Sequence, residues 1–109
     1  MKKFVEIIKM DYNIIISIEA QIDTNDAYCY YEGQQTGLGE RFLNELSHFY
    51  KKLEQHPEYY SFTSEIKTTR SVALKIFPYK IIYEIEGDEI FVFAVYHFRN
   101  NPDELTKRF

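Results

Sequence analysis

The sequence predicts an α+β fold: an N-terminal strand, an antiparallel two-helix hairpin, then a largely antiparallel sheet of three to four strands. Three features carry this expectation. The longest alternation of apolar and polar residues runs from Arg70 to Arg99, and Glu86-Gly87-Asp88-Glu89 interrupts it with the glycine that a two-residue hairpin turn needs. Leu38, Phe42, Leu46, Phe49 and Leu53 recur at steps of four, four, three and four, the spacing of one helix face. Ahead of both, Tyr12, Ile14, Ile16 and Ile18 alternate with Asn13, Ile15 and Ser17, the pattern of a strand.

In chain order, Lys3 to Met10 is β-prone and reads as an extra N-terminal segment (residues 1–10) able to add an edge strand. After the strand that follows Asp11, Ser17 supplies an N-cap and Glu19 a first-turn acid, so a helix should begin around Ile18. Its buried stripe is expected at Ala20, Ala27 and Tyr31, with Ile22 and Tyr30 beside it. Gly33 and Gly37 bracket a short break; Thr36-Gly37-Leu38-Gly39-Glu40 opens the second helix, which Pro57 ends. A looser β-prone piece, Tyr60 to Lys67, precedes a strand over Arg70 to Phe77. With Gly87 and Asp88 as the loop, the last two strands pair Ile85 with Ile90, Tyr83 with Val92, Ile81 with Ala94 and Tyr79 with Tyr96. That face should meet the helices. The other face, with Lys80, Ile82, Glu84, Phe91, Phe93, Val95 and His97, should be partly covered and partly open to another molecule.

A chain of 109 residues is expected to form one domain across residues 1–109. Ten Tyr and nine Phe supply large contact area to core or interface. The single cysteine, Cys29, leaves no partner for an internal disulfide and fits a reducing cytoplasm. His48 and His56 have no companion at ligand spacing, so neither a metal nor another cofactor is expected. The apolar runs are too short to span a membrane and the N-terminus lacks a signal peptide's apolar core, so the expected location is cytoplasmic. A net charge of -4 argues against attraction of nucleic acid to the surface as a whole. The charge is uneven: residues 1–65 hold 6 Lys/Arg against 11 Asp/Glu, whereas residues 66–109 hold 7 against 6.

Gly37-Leu38-Gly39 lacks the Lys-Ser/Thr ending and preceding strand of a phosphate loop, and its glycines suit the interhelix turn. Tyr28, Tyr30, Tyr31, Tyr59 and Tyr60 lack the interleaved basic residues of a base-stacking surface, which favours packing. Together with the element order, the blocks Tyr30-Tyr31-Glu32, Gly37-Leu38-Gly39-Glu40-Arg41-Phe42-Leu43, Pro57, Arg70, Phe77-Pro78-Tyr79-Lys80-Ile81-Ile82-Tyr83 and Val95-Tyr96-His97 resemble the RelE/ParE toxin superfamily. Within it the chain looks most like the ParE branch, often labelled plasmid stabilisation proteins, over roughly residues 12 to 102. The extra N-terminal segment departs from that pattern, since such toxins usually begin at the first strand.

The resemblance implies the toxin of a type II toxin-antitoxin pair, neutralised by a cognate antitoxin and meeting operator DNA only through the antitoxin complex. ParE-like members poison DNA gyrase by protein contact. RelE-like members cleave messenger RNA on the ribosome, without a metal, and a toxin fold that has lost toxicity would survive as a binding module; family membership does not choose among these. RNA cleavage needs a base, cationic groups at the phosphate and an acid for the leaving oxygen. The candidates are His97 as base or acid, and Arg70 and Arg99 as phosphate binders, with Lys75, Lys80 or Tyr96 in support. The simpler and favoured reading of His97 is a strand residue at the sheet rim, and the two arginines could equally pair with acids or with the antitoxin. Lys80, Phe91, Phe93 and Arg99 are the candidate contacts for antitoxin or target, and an antitoxin segment or a second toxin chain in a homodimer could cover the phenylalanines.

Overall fold

The computed structural model describes residues 11–63, 68–100 and 107–108, and its order is β1 (Asn13–Ile16), α1 (Ile18–Gln34), α2 (Leu38–Gln55), a 3-10 turn (Pro57–Tyr59), β2 (Arg70–Ala73), β3 (Tyr79–Glu86) and β4 (Glu89–His97). This is the expected α+β architecture. Lys3 to Met10 and part of Tyr60 to Lys67 lie outside the described residues. The four strands form one sheet in the order β1-β4-β3-β2, with β1 parallel to β4 and the other pairs antiparallel. The first strand therefore docks against the last.

Local chemistry explains the helices. Ser17 Oγ accepts the Ala20 N–H at 3.0 Å and caps α1 as its sequence position implies. Gly37, at φ 92, begins α2 without a side-chain cap of its own. The Glu32 carboxylate, near the end of α1, accepts the N–H groups of Gly37 and Gly39 instead, at 3.0–3.1 Å. Thus the end of one helix caps the start of the next. Gly39 lies so close to α1 that an added Cβ would stand 2.8 Å from the Tyr28 carbonyl and ring.

The predicted α2 stripe packs inward: Phe42, Leu46, Phe49 and Leu53 are buried, and Leu38 is partly buried against them. On α1 the buried positions are the small residues Ala20 and Ala27, which let the helix lie close to β4, and Tyr31 packs beside them. The expectation for Ile22 and Tyr30 is corrected, because both face solvent, Tyr30 at 61% exposure. With alanines at the sheet, this helix keeps its larger apolar side chains outside.

The hairpin turns at Gly87, whose φ is 61, and the register starts as expected with Ile85 opposite Ile90 and Tyr83 opposite Val92. It then departs. A β-bulge leaves Phe93 without an opposite residue, so Ile82 faces Ala94, Ile81 faces Val95, Lys80 faces Tyr96 and Tyr79 faces His97. Every β4 side chain beyond the bulge changes face. Val95 joins Ile81, Tyr83, Ile90 and Val92 in the core beneath the helices, whereas Ile82, Ala94 and Tyr96 form a separate buried cluster on the opposite face. The predicted free phenylalanine and histidine face is corrected accordingly: His97 stands with the helix-side residue Tyr79, and Phe91 and Phe93 are both half-buried.

The strand expected over Arg70 to Phe77 stops at Ala73. Glu45, buried on α2, accepts the N–H groups of Lys75, Ile76 and Phe77 at 3.1, 2.9 and 3.1 Å, satisfying the amides that a continuing strand would give to a neighbour. A loop over 74–78 results, and it leads directly into β3.

Candidate functional site

A concavity lies beside the bulge. An open cleft of about 780 Å³ lies between α1 and the ends of β3 and β4; Asp23, Asp26, Tyr30, Tyr31, Tyr79 and His97 line it, and Arg99 stands at its rim. α1 contributes the acidic and aromatic wall, because Asp23, Asp26 and Tyr30 follow at steps of three and four on one helix face. The other wall comes from the strand ends, where Tyr79 meets His97 edge-on at 4.9 Å and Tyr31 at 6.2 Å.

The His97 ring is oriented from its own turn: Nδ1 accepts the Arg99 N–H at 3.0 Å, which leaves the proton of the neutral ring on Nε2. The Arg99 guanidinium carries no hydrogen bond or ion pair among the described residues and is exposed. These two candidates are therefore brought together. Burial pushes the Tyr79 hydroxyl up to about 12, with the neighbouring Tyr31 adding to it, and burial raises Tyr31 as well. Both phenols stay protonated at neutral pH, so they act as donors and as walls, not as bases.

The third candidate lies elsewhere. Arg70 begins β2 opposite Tyr83, and His97 ends β4 opposite Tyr79. Four residues along β3 and two strand spacings separate them, about 13 Å by 10 Å. The Arg70 guanidinium is also engaged: it donates to the carbonyls of Tyr60 (2.7 Å) and Glu58 (3.2 Å) and covers the Phe62 ring at 4.1 Å. Beside it, the Tyr83 hydroxyl donates to the Pro57 carbonyl at 2.6 Å. Arg70 holds the segment after α2 to the sheet edge.

The candidate contact residues are divided as well. Lys80 lies on the face away from the helices with its ammonium 5.3 Å from the Tyr96 ring centre, and Phe91 shares that face beside the partly exposed Ile15 of β1. Arg99 belongs to the cleft, and Phe93 sits at the bulge between them.

Sequence reasoning missed the group that fixes the cleft's edge. The bulge turns the Phe93 carbonyl and the Val95 N–H away from β3, and β1 has already ended at Ile16. Asp23 Oδ2 accepts the Val95 N–H at 3.0 Å; Arg108 donates to the Phe93 carbonyl at 3.1 Å and closes on both Asp23 oxygens at 2.6 and 2.9 Å. Ser17 Oγ adds a donor to the same carbonyl at 3.3 Å. The hydrogen bond to Asp23 raises the Arg108 pKa further, so the guanidinium is always charged. The acidic spacing Glu19, Asp23, Asp26 was a readable signal on α1, whereas nothing near Arg108 in sequence announces an 85-residue return. Among the described residues there is no cluster of His, Cys, Asp or Glu suited to a metal, and no helix long and apolar enough to cross a membrane.

This arrangement of strand, helix pair and mixed sheet is shared with chains from two solved toxin-antitoxin assemblies. One is the chromosomal ParDE system from P. aeruginosa, 17% identical, with a TM-score of 0.71 over 79% of this chain and 95% of that one. The other is the RelBE2 toxin-antitoxin complex from Mycobacterium tuberculosis, 18% identical, with a TM-score of 0.58 over 80% of this chain and 98% of that one. The fold is thus that of the RelE/ParE toxin class. No curated protein sequence matches the chain. The family model of the ParE toxin of type II toxin-antitoxin systems, parDE, matches residues 14–102, and the chain belongs to that family.

Proposed function

We propose that this protein is a toxin acting by protein contact on DNA gyrase and held inactive by a cognate antitoxin, with which it reaches operator DNA. One observation supports contact over RNA cleavage. The cleft that holds His97 and Arg99 also holds the carboxylates of Asp23 and Asp26, while Arg70 stands about 16 Å away with its Nη1 donating to two loop carbonyls. A scissile phosphate entering that cleft would meet the Asp26 carboxylate, an Asp23 already paired with Arg108, and Arg99 at the rim. Among the described residues such a lining lacks the cluster of cations that a scissile phosphate needs. A protein surface carries no such uniform charge, so the same mixed lining suits it.

The test is a supercoiling assay with purified gyrase, run beside a translation-coupled mRNA cleavage assay. The toxin should inhibit supercoiling, the product of the adjacent antitoxin gene should restore it, and His97→Ala should leave inhibition intact. Ribosome-dependent mRNA cleavage that vanishes in His97→Ala would establish the endonuclease reading instead. Inactivity of the soluble chain in both assays would point to a toxin fold that has become a binding module.

A further inference from the structure

We infer that Asp23 and the Phe93 carbonyl form a receptor for an arginine side chain of a partner protein, and that Arg108 is the internal occupant which this arginine displaces. The receptor is visible because the chain fills it itself. Two carboxylate oxygens and one backbone carbonyl converge on a single guanidinium at 2.6, 2.9 and 3.1 Å, the planar forked geometry that selects arginine over lysine. Its far side is fixed, since Val95 N–H holds Asp23 Oδ2 and Val95 belongs to the rigid core of the sheet.

Four observations make the occupant exchangeable and its replacement basic. Arg108 and Asp23 remain 28% and 18% exposed, so a competitor reaches them from solvent. The cleft of about 780 Å³ borders Asp23 and Val95 and runs on toward Asp26 and Tyr30, leaving room for the residues flanking an incoming arginine. Glu19, Asp23, Asp26 and Glu32 are the charged residues of α1, all of them acidic, and this helix complements a cationic segment. The carbonyl and N–H that the pair satisfies are strand-edge groups, so an extended arginine-bearing segment can take their place as β1 does one step earlier.

The inference rests on the antitoxin reading only for the identity of the partner. Its test uses a defined probe, the peptide acetyl-Gly-Ala-Arg-Ala-Gly-amide, and the lysine version as control. Arg108→Ala empties the receptor, so the folded variant should bind the arginine peptide saturably and at least about tenfold more tightly than the unaltered chain does, because no internal competitor remains. The lysine peptide should bind at least about tenfold more weakly, and Asp23→Asn combined with Arg108→Ala should abolish binding. In the unaltered chain, the amide resonance of Val95 should shift as the arginine peptide is added in excess, a readout that needs no variant. Absent binding to folded Arg108→Ala, equal binding to the double variant, or a Val95 amide that stays still would each overturn the receptor. Those results would leave a stable antitoxin complex, and with it the proposed function, untouched; a receptor that binds the peptide in a chain that captures no antitoxin would do the reverse.

Discussion

Replacing Glu45 by alanine tests whether one buried carboxylate holds the loop that places the cleft's aromatic wall. Glu45 is 9% exposed and accepts three successive backbone N–H groups at 2.9–3.1 Å. Lys75 and Ile76 are exposed and can turn their amides to water, whereas Phe77 is buried and cannot. Hydrogen bonds to a charged acceptor contribute about 1.5–3 kcal/mol each, and a buried donor left unsatisfied costs about 1–3 kcal/mol. Counting the Phe77 amide in full and the two exposed amides at a small fraction gives a loss of about 3 kcal/mol for Glu45→Ala. Glu45→Gln keeps one acceptor oxygen and should lose about half of that. For a domain of this size, about 3 kcal/mol corresponds to a fall in Tm of roughly 12 °C or more, measurable by circular dichroism, with urea unfolding giving the free energy directly. The loss should reach the site, because Phe77 packs edge-on to Tyr31 at 4.8 Å and to Phe42 at 5.4 Å two residues before Tyr79. A Glu45→Ala variant within about 0.5 kcal/mol of the parent would refute this account of the loop, since that is the spread of ordinary surface changes.

Three further outcomes are expected. Gly39→Ala should destabilise by about 1–3 kcal/mol despite alanine's helix preference, because its Cβ would stand 2.8 Å from the Tyr28 backbone carbonyl; a more stable variant in urea unfolding would contradict the close helix crossing. The Tyr50 hydroxyl is buried without a hydrogen-bond partner among the described residues, so Tyr50→Phe should be neutral or stabilising by up to about 1 kcal/mol, and a loss larger than that by thermal melting would reveal a partner. Tyr79 titrates at 10.0 when unfolded and at about 12 in the cleft, and burial raises Tyr50 and Tyr83 as well. Between those values the unfolded chain binds fewer protons, so stability is intact below pH 10 and falls as pH rises toward 12. Urea midpoints that stay level across that window would disprove it, and Tyr79→Phe should flatten the decline.

The parts of the fold that the sequence disclosed are those governed by local rules. The α2 stripe, the Ser17 cap and the turn at Gly87 each depend on residues within one or two turns of one another, and each forms where its pattern lies. Glu32 and Gly39 belong to blocks that carried the family resemblance, and both have a physical role in the structure, since Glu32 caps the second helix and Gly39 lets the two helices touch. What escaped depends on distant partners. The strand beyond Ala73 gives way to Glu45, about thirty residues earlier, and nothing local to Arg70 shows that it donates to the Tyr60 carbonyl. Periodicity sees neither, because nothing in the alternation of 70–77 records an acceptor on another helix.

The bulge at Phe93 is the step from which the character of the cleft follows. With an unbroken register, His97 would lie on the face with Lys80, away from α1, and Val95 would leave the core. One unmatched residue moves His97 against Tyr79 and onto the acidic side of α1, and it turns a carbonyl and an N–H out to where Asp23 and Arg108 meet them. The same residue therefore sets His97 on the α1 side of the sheet and builds the receptor beside it. Glycine at a bulge is a visible signal, whereas phenylalanine in a run of Ile, Phe, Val and Ala is not, so a period-two reading passes through it unchecked. A histidine near the end of such a strand points to nuclease chemistry only once the residues between it and the turn have been paired one by one, since a single insertion decides whether it faces basic residues or carboxylates.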